Sequence, residues 1–388
     1  MFKLREKKIL YLIILLIFGI ALRLSSKHFL SEEYVDWFRF IVGLIIFVIG
    51  IFVLMQTAKI IEETTGVLSE RTKIAGGLLQ SFGTAFPDMV LGIVAALMSI
   101  SIAKEDPTKS INLAIIAAAT TFGSNIYNIA HAAWCVFRQN LANNKSIEVL
   151  MFPKLKHFGI LKPMKDHINK PSIKEIDVSI DVSIALTIIT AFVAISMVLF
   201  GRVLNTQANL DGDLYKLIRP IGIFVLLCCI LVLYIFRKSE RVKKLDNIEE
   251  EENYYRAKSN FFIILNLLLS GVAILLVAQA MVSSVDLFCE MFNIPFVVAG
   301  VLIGVIGCLG EMIVIHNFSV NSNGRIGDAI VGVSMDNIIT ICGASIIAIM
   351  GGIFLGGNAL ILIFVIILCF NSILIWQIAK LKNHFINK

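Results

Sequence analysis

Residues 83–88 read Gly-Thr-Ala-Phe-Pro-Asp, and residues 123–128 read Gly-Ser-Asn-Ile-Tyr-Asn. Both stretches lie inside long apolar runs. A carboxylate near the middle of a membrane helix costs roughly 3 kcal/mol or more, so Asp88 indicates an ion or substrate path. Pro87 has no backbone donor and frees a carbonyl upstream, which predicts a broken helix. Such a helix, with the Thr84 hydroxyl and the Asp88 carboxylate, offers the oxygen ligands that hard cations prefer.

The composition is that of a membrane protein. Of the 388 residues, 57% are hydrophobic and 16% are charged, whereas soluble domains are about 45–50% apolar and about 25% charged. The net charge of +6 does not indicate nucleic acid, because basic residues in such a chain mainly report orientation. The 7 cysteines form no Cys-x-x-Cys pair, which argues against disulfides and zinc. We expect a bilayer-embedded protein without a cofactor and without a nucleic-acid partner.

Ten apolar segments are long enough to cross a bilayer, which takes about 20 residues. They span residues 8–24, 37–60, 73–102, 110–138, 177–201, 216–236, 260–284, 293–319, 326–354 and 357–381. The first follows several basic residues and could be a signal peptide, but no Ala-x-Ala site follows it, which favours a retained helix. The sequence predicts an all-α polytopic membrane protein with about 10 transmembrane helices.

Lysines and arginines predict the orientation of these helices. If the N-terminus is cytoplasmic, most of the 34 basic residues lie on the inner side. The two longest hydrophilic loops, 139–176 and 237–258, then both lie in the cytoplasm. The first of these loops shows no regular periodicity. We expect the cell membrane as the location.

The two halves of the chain carry polar residues in the same order. In each half a helix with a buried acid, Asp88 or Glu311, is followed by a helix with Ser and Asn or with Ser, Asp and Asn. An odd number of crossings separates the halves, which predicts an inverted repeat with its site at the midplane. The predicted parts are an extra helix and outer loop in 1–36, a first repeat in 37–236 containing the loop 139–176, a charged loop in 237–258 and a second repeat in 259–388.

These motifs resemble those of the cation/calcium exchanger superfamily, whose sodium/calcium exchangers carry two inverted alpha-repeats. The family's first repeat reads roughly Gly-Thr-Ser-Leu-Pro-Glu and then Gly-Ser-Asn-Ile-Phe-Asn. Residues 83–88 and 123–128 match it closely, with Asp88 in place of the glutamate. The second repeat is weaker. Residues 306–311 keep the acid but lose the threonine, serine and proline, and residues 332–337 keep the glycine and the last amide.

The resemblance also assigns the remaining helices. The segment 8–24 is an extra leading helix, and only 357–381 follows the second repeat where the family usually has two helices. Either a helix is missing, or the leading helix occupies its place.

The resemblance implies a cation site built from both halves, with Asp88 and Glu311 as paired acids. Asp336, beside the aligned amide, either faces the cavity or supports the site. Gly307 and Cys308 offer carbonyls but no hydroxyl, so the second half should bind fewer ions or bind them more weakly. The predicted ligands are Thr84, Asp88, Ser124, Asn128, Gly307, Cys308, Glu311, Asp336 and Asn337.

Two side chains near Asn128 have alternative interpretations. Asn125 and Asn128 could form hydrogen bonds between helices, which are common in membranes. His131 continues the helix face of Ser124 and Asn128 but matches no family ligand. A hydrogen-bonded core histidine and a proton relay are the two interpretations of His131.

The resemblance implies an antiporter that exchanges calcium, or a related divalent cation, for sodium by alternating access. Protons could replace sodium, and a protein that senses cations without transporting them also fits. A different class, an intramembrane aspartyl hydrolase, could use Asp88 and Asp336, but the Gly-x-Gly-Asp signature is absent. The sequence leaves the coupling ion, the stoichiometry and the oligomeric state open.

Overall fold

The structure is a computed structural model that describes residues 8–72, 76–164, 171, 173–204, 213–236, 254–320, 326–352 and 354–386. Within these ranges, 10 helices are long and apolar enough to cross a membrane, which confirms the predicted number. The helices are α1 (Lys8–Phe29), α2 (Asp36–Thr72), α3 (Gly76–Ile102), α4 (Pro107–Lys145), α5 (Ile173–Phe200), α6 (Arg219–Phe236), α7 (Asn260–Phe292), α8 (Phe296–Val320), α9 (Ile326–Met350) and α10 (Gly357–Ile386).

Several helices extend beyond the apolar segments that predict them. The second helix continues past residue 60 to Thr72, and the fourth continues past residue 138 to Lys145. The start of α4 is set by Asp106, whose carboxylate accepts a hydrogen bond from the Lys109 amide (2.9 Å). Hydropathy therefore marks the part of each helix that suits the hydrocarbon layer, whereas capping and polar turns set where the helix ends.

Helix pairings repeat between the two halves of the chain. α3 packs against α9, and its counterpart α8 packs against α4. Likewise α5 packs against α9, and α10 packs against α4. The helices that carry the predicted acids thus each lie beside a polar helix of the other half, so any site they form draws on both halves.

The leading helix α1 packs mainly against α7 and α2. By contrast α6, which follows the first repeat, packs against α9 and α5. A helix that took the place of α6 in the second repeat would lie against α4 and α10, the counterparts of α9 and α5. The leading helix therefore packs elsewhere than at that position.

Two small sheets lie at opposite ends of α5. A hairpin of β1 (Val149–Phe152) and β2 (Leu155–Leu161) follows α4, in the loop where the sequence shows no periodicity. An antiparallel sheet in the order β3 (Arg202–Val203), β4 (Leu214–Lys216), β5 (Phe354–Gly356) closes the other end. We call these the hairpin end and the sheet end of the bundle.

The crossing of α4 and α8 depends on glycines at the contact. A Cβ at Gly304 would lie 2.8 Å from the Ser124 backbone nitrogen and 2.9 Å from the Thr120 carbonyl oxygen. A Cβ at Gly123 would lie 2.9 Å from the Cα of Val301. Small residues at such positions let membrane helices approach closely, so that packing replaces the missing hydrophobic force. The close crossing brings the acid of α8 against the amide side chains of α4.

The Gly304→Ala variant should unfold at a lower temperature than the wild type, because its methyl group would meet backbone atoms that cannot rotate away. Overpacking of this kind costs about 1–3 kcal/mol. The control is Gly310→Ala, since a Cβ at Gly310 has nothing within 4 Å. Thermal unfolding in detergent measures both, and equal melting temperatures for the two variants would contradict the close crossing.

Candidate cation-binding site

The helix α3 stays helical through residues 83–88, so the predicted break at Pro87 is wrong. Pro87 lies inside the helix, and the Gly83 carbonyl still lacks the amide donor that proline cannot supply. The neighbouring helices enclose this turn, because both Gly83 and Asp88 are buried. The Gly83 carbonyl therefore lacks its helical hydrogen bond, as the sequence predicted, although the backbone stays helical.

Asp88 lies at the centre of the helix bundle and is 0% exposed. Thr340 of α9 donates a hydrogen bond to its Oδ2 atom at 3.4 Å, and the Ser124 hydroxyl of α4 interacts with the same carboxylate. The Oδ1 atom is buried and has no hydrogen-bond partner among the described residues. Asp88 therefore keeps one oxygen free for a ligand.

Glu311 of α8 is also buried, with 2% of its surface exposed. Its Oε2 atom accepts a hydrogen bond from the Asn128 amide nitrogen of α4. The same nitrogen lies 3.4 Å from the Asn337 Oδ1 atom of α9. Its Oε1 atom, like the Oδ1 atom of Asn128, is buried without a donor in the described part of the chain. Helices α4, α8 and α9 thus meet around Glu311, which is the second acid with an unpaired carboxylate oxygen.

Two hydrogen bonds connect α3 and α9 in parallel. Thr84 donates to the Oδ1 atom of Asp336 at 3.1 Å, and Thr340 donates to Asp88 one turn further along. Each helix therefore supplies one threonine and one aspartate, four residues apart on one face. Asp336 therefore belongs to the cluster. Its neighbour Asn337 also belongs to it, because its Oδ1 atom lies 3.4 Å from the Asn128 amide nitrogen of α4.

Thr340 belongs to this cluster, and the sequence did not point to it. It matches no motif of the family, and its hydroxyl also bonds to the Asp336 carbonyl oxygen (3.0 Å), as helix threonines often do. The only available signal was its spacing, because residues four apart share a helix face and Asp336 was already a candidate.

The two remaining predicted ligands of α8 differ in position. A Cβ at Gly307 would lie 2.8 Å from both the Cα and the Oδ1 atoms of Asp88, so the glycine lets the α8 backbone reach the carboxylate. The buried Cys308 thiol instead contacts Val305 and Met312 in its own helix. The backbone of α8 at Gly307 therefore borders the site, whereas the Cys308 side chain bonds within α8.

The side chains of Asn125 and Asn128 differ in their hydrogen bonding. The Asn128 amide bonds across helices to Glu311 and Asn337, as interhelical hydrogen bonding predicts. Asn125 is 0% exposed, yet neither its Oδ1 nor its Nδ2 atom has a partner among the described residues. His131 stacks on His316 of α8 with ring centroids 5.7 Å apart, and its Nε2 atom lies 3.7 Å from the Cys135 sulfur. The choice between a hydrogen-bonded core histidine and a proton relay stays a prediction.

The charges of the site suit a cation. Glu311 interacts electrostatically with both Asp88 and Asp336, so three carboxyl groups share one buried region. Among the described residues no lysine or arginine forms an ion pair with Asp88 or Glu311. Buried charges are normally paired or bound to a metal, because isolated ones are very costly.

Acidic side chains alone do not complete a metal site here. Within the described ranges, no three His, Cys, Asp or Glu side chains are placed to hold one metal ion together. Hydroxyl, amide and carbonyl oxygens would have to supply the other ligands, as they do in many calcium sites. Thr84, Ser124, Asn128 and Asn337 provide such oxygens around the acids.

Comparison with known proteins gives a likeness in structure only. No family model and no curated protein sequence matches the chain. The structure of native YfkE matches with a TM-score of 0.54 at 16% identity, and that of CAX, an H⁺/Ca²⁺ exchanger, with 0.56 at 12%. Each match covers 97% of both chains. The chain has the exchanger fold.

The exchanger fold agrees with the polytopic, all-helical architecture that the motif resemblance implied. The sodium-calcium exchanger NCX_Mj, in a structure soaked with Na⁺ and Sr²⁺, also matches over 89% of this chain and 97% of its own. Its TM-score is 0.44 at 16% identity, so the fold assignment rests on YfkE and CAX.

The Thr340→Val variant should lower the stability of the protein without added divalent cations. It keeps the side-chain shape but removes a donor from the buried Asp88 carboxylate, a loss of about 1–3 kcal/mol. Thermal unfolding in detergent measures the change. The matched control is Thr190→Val, because the buried Thr190 hydroxyl donates to the Leu186 carbonyl of its own helix (2.8 Å) and, within the described ranges, to no other helix. If both variants lose the same stability, the bond between Thr340 and Asp88 is not significant.

Proposed function

We propose that this protein is a secondary antiporter that exchanges a divalent cation, calcium or a related ion, for a monovalent cation. The observation that carries the proposal is the pair of buried carboxylates, Asp88 and Glu311, each with one oxygen that lacks a donor in the part of the chain that the structure describes. They lie where helices of both halves meet, which is where inverted-repeat transporters hold their substrates. Thr84, Ser124, Asn128 and Asn337 would complete the oxygen ligands.

Exchange follows from the charge of an empty site. Two buried carboxylates without a counter-ion are too costly to carry through a closed state inside a membrane. One divalent ion, or more than one monovalent ion, neutralises them. Either load permits the change between inward and outward access, whereas the empty site resists it, so the two ion types move in opposite directions.

We propose sodium as the coupling ion, since the first repeat resembles that of sodium/calcium exchangers. A second candidate is the proton. The likeness to CAX, an H⁺/Ca²⁺ exchanger, supports this candidate. So does the chemistry of the site, because carboxylate oxygens can bind protons as well as metal ions.

Ion transport explains the site better than hydrolysis does. An aspartyl hydrolase needs two carboxyl groups that share one proton and face a water molecule. Here Asp88 and Asp336 instead bond to threonines, Asp88 to Thr340 and Asp336 to Thr84.

We also propose a cell-membrane location with a cytoplasmic N-terminus, which rests on the distribution of basic residues.

Uptake of radioactive calcium into proteoliposomes tests the proposal. Vesicles are loaded with sodium, with potassium or with an acidic buffer, and the wild type is compared with Asp88→Asn and Glu311→Gln. We expect uptake that depends on the sodium gradient and is reduced at least about tenfold in each variant, because an amide cannot neutralise a cation. The control is Glu105→Gln, an exposed acid in the turn before α4, which should transport normally.

The outcomes separate the alternatives. Uptake driven by the pH gradient would replace sodium with protons and keep the site. Calcium binding without uptake under any gradient would indicate a sensor. If calcium neither binds nor moves, or if both acid variants transport at the wild-type rate, the proposed cation site is wrong.

A further inference from the structure

Three helices, α1, α2 and α7, carry none of the predicted cation ligands. Both α1 and α2 pack mainly against α7. Lys8 of α1 also forms an ion pair with Glu63 of α2. Arg71 at the end of α2 donates to the carbonyl oxygens of Arg256 and Lys258, just before α7 (2.7 Å each). We call these three helices, which are tied together at the hairpin end, the three-helix unit.

At the sheet end, an ion pair joins the three-helix unit to a helix of the cation site. The Nζ atom of Lys109, in the first turn of α4, lies 2.9 Å from Asp286 Oδ2 and 3.6 Å from Glu290 Oε1, both on α7. Among the ion pairs between described residues, no other joins this unit to α3, α4, α8 or α9. The pair therefore crosses the boundary between helices that carry ligands and helices that do not.

Both sides of this ion pair are fixed to their own neighbours. The first turn of α4 is tied to α3, because the Ser110 hydroxyl donates to the Ser99 carbonyl oxygen (2.8 Å). The Ser99 hydroxyl donates back to the Ser110 carbonyl oxygen (2.6 Å). On the other side, the Phe288 ring of α7 packs edge-on against the Phe40 ring of α2, with centroids 5.7 Å apart. Separation of the pair therefore requires that the three-helix unit moves away from α3 and α4 at this end.

The carboxylate of the pair is buried. Asp286 is 3% exposed, and its Oδ1 atom has no hydrogen-bond partner in the described part of the chain. Asp286 also interacts electrostatically with two further acids, Glu290 and Asp106. Loss of the Lys109 ammonium would leave this buried charge uncompensated, which is strongly unfavourable. The local charges therefore favour the arrangement in which α7 lies against the start of α4.

We propose that Lys109 and Asp286 form an ionic latch that keeps the sheet end of the cation path closed. Alternating access in inverted-repeat transporters is largely a movement of one bundle against another. When the three-helix unit moves away from α4, the ion pair breaks and entering water solvates both charges. The exposed Glu290, one turn nearer the end of α7, keeps a partner for Lys109 early in this movement. The latch rests on the proposed function, because only a transporter has to open and close this end.

Labelling of a native thiol tests the latch on the full-length protein. Cys289 lies three residues after Asp286, on the same face of α7, and is 2% exposed. The protein in detergent is treated with a charged maleimide, and labelling of Cys289 is followed over time by peptide mass. We expect Cys289 to react about tenfold faster or more in Lys109→Met than in the wild type, since loss of one partner of a buried ion pair shifts an equilibrium by at least that factor.

Two further variants separate a latch from a general loss of stability. The exchanged pair, Lys109→Asp with Asp286→Lys, should return the labelling rate toward that of the wild type, because it restores the attraction with reversed charges. The matched control is Lys382→Met, which removes the ion pair with Asp177 (2.5 Å) between α10 and α5 and does not touch the three-helix unit. Its Cys289 should react at the wild-type rate.

Each outcome supports or overturns the latch. Equal rates in the wild type and Lys109→Met, equal acceleration by Lys382→Met, or no recovery in the exchanged pair would overturn it. Cys135 and Cys229, which are buried in α4 and α6, should stay unlabelled, and their labelling together with Cys289 would overturn it as unfolding. The labelling needs no transport, so a wild type without ion flux would contradict the proposed function alone.

Discussion

The structure depends on one constraint, the burial of negative charge between the two halves of the chain. The Asn128 amide donates to one oxygen of Glu311, and Thr340 donates to one oxygen of Asp88. The other oxygen of each acid has no donor among the residues that the structure describes. These groups fix the position of both carboxylates, and no lysine or arginine in the described ranges pairs with either of them. A cation satisfies this arrangement, and in its absence the same groups would have to bind protons or water.

The packing of the bundle serves the same constraint. Gly304 and Gly123 let α4 and α8 cross closely, and Gly307 brings the α8 backbone against Asp88. Gly307 has no side chain, so a close approach of the α8 backbone takes the place that a larger side chain would fill. On the opposite side of the acids, α3 and α9 each supply a threonine to the aspartate of the other. The second repeat is therefore altered in sequence but still lines the site.

The sequence predicted what depends on hydropathy and on the first repeat. The apolar runs gave the number of helices, because the length of a membrane span is set by the bilayer. Asp88 and Asn128 were predicted as ligands because they occur in a specific motif, and this role stays a prediction. Glu311 was found because a buried acid in an apolar run is rare.

Other features could not be predicted, for physical reasons. The helix break at Pro87 was wrong because neighbouring helices can support a helix that contains proline. Thr340 was missed because a threonine that bonds to its own helix resembles any other buried threonine. The hairpin was missed because one of its faces packs on protein while the other is also apolar, so β2 lacks the alternation that marks a strand.

The most direct test of the account is a crystal structure of the protein grown with calcium, with an anomalous difference map to locate the ion. The account predicts a calcium peak within ligand distance, about 2.3–2.6 Å, of the free oxygens of Asp88 and Glu311, with Asn128 among the remaining ligands. The same map for Asp88→Asn should show no peak there. A calcium ion bound away from both acids, or two acids paired with basic side chains and no ion between them, would contradict it.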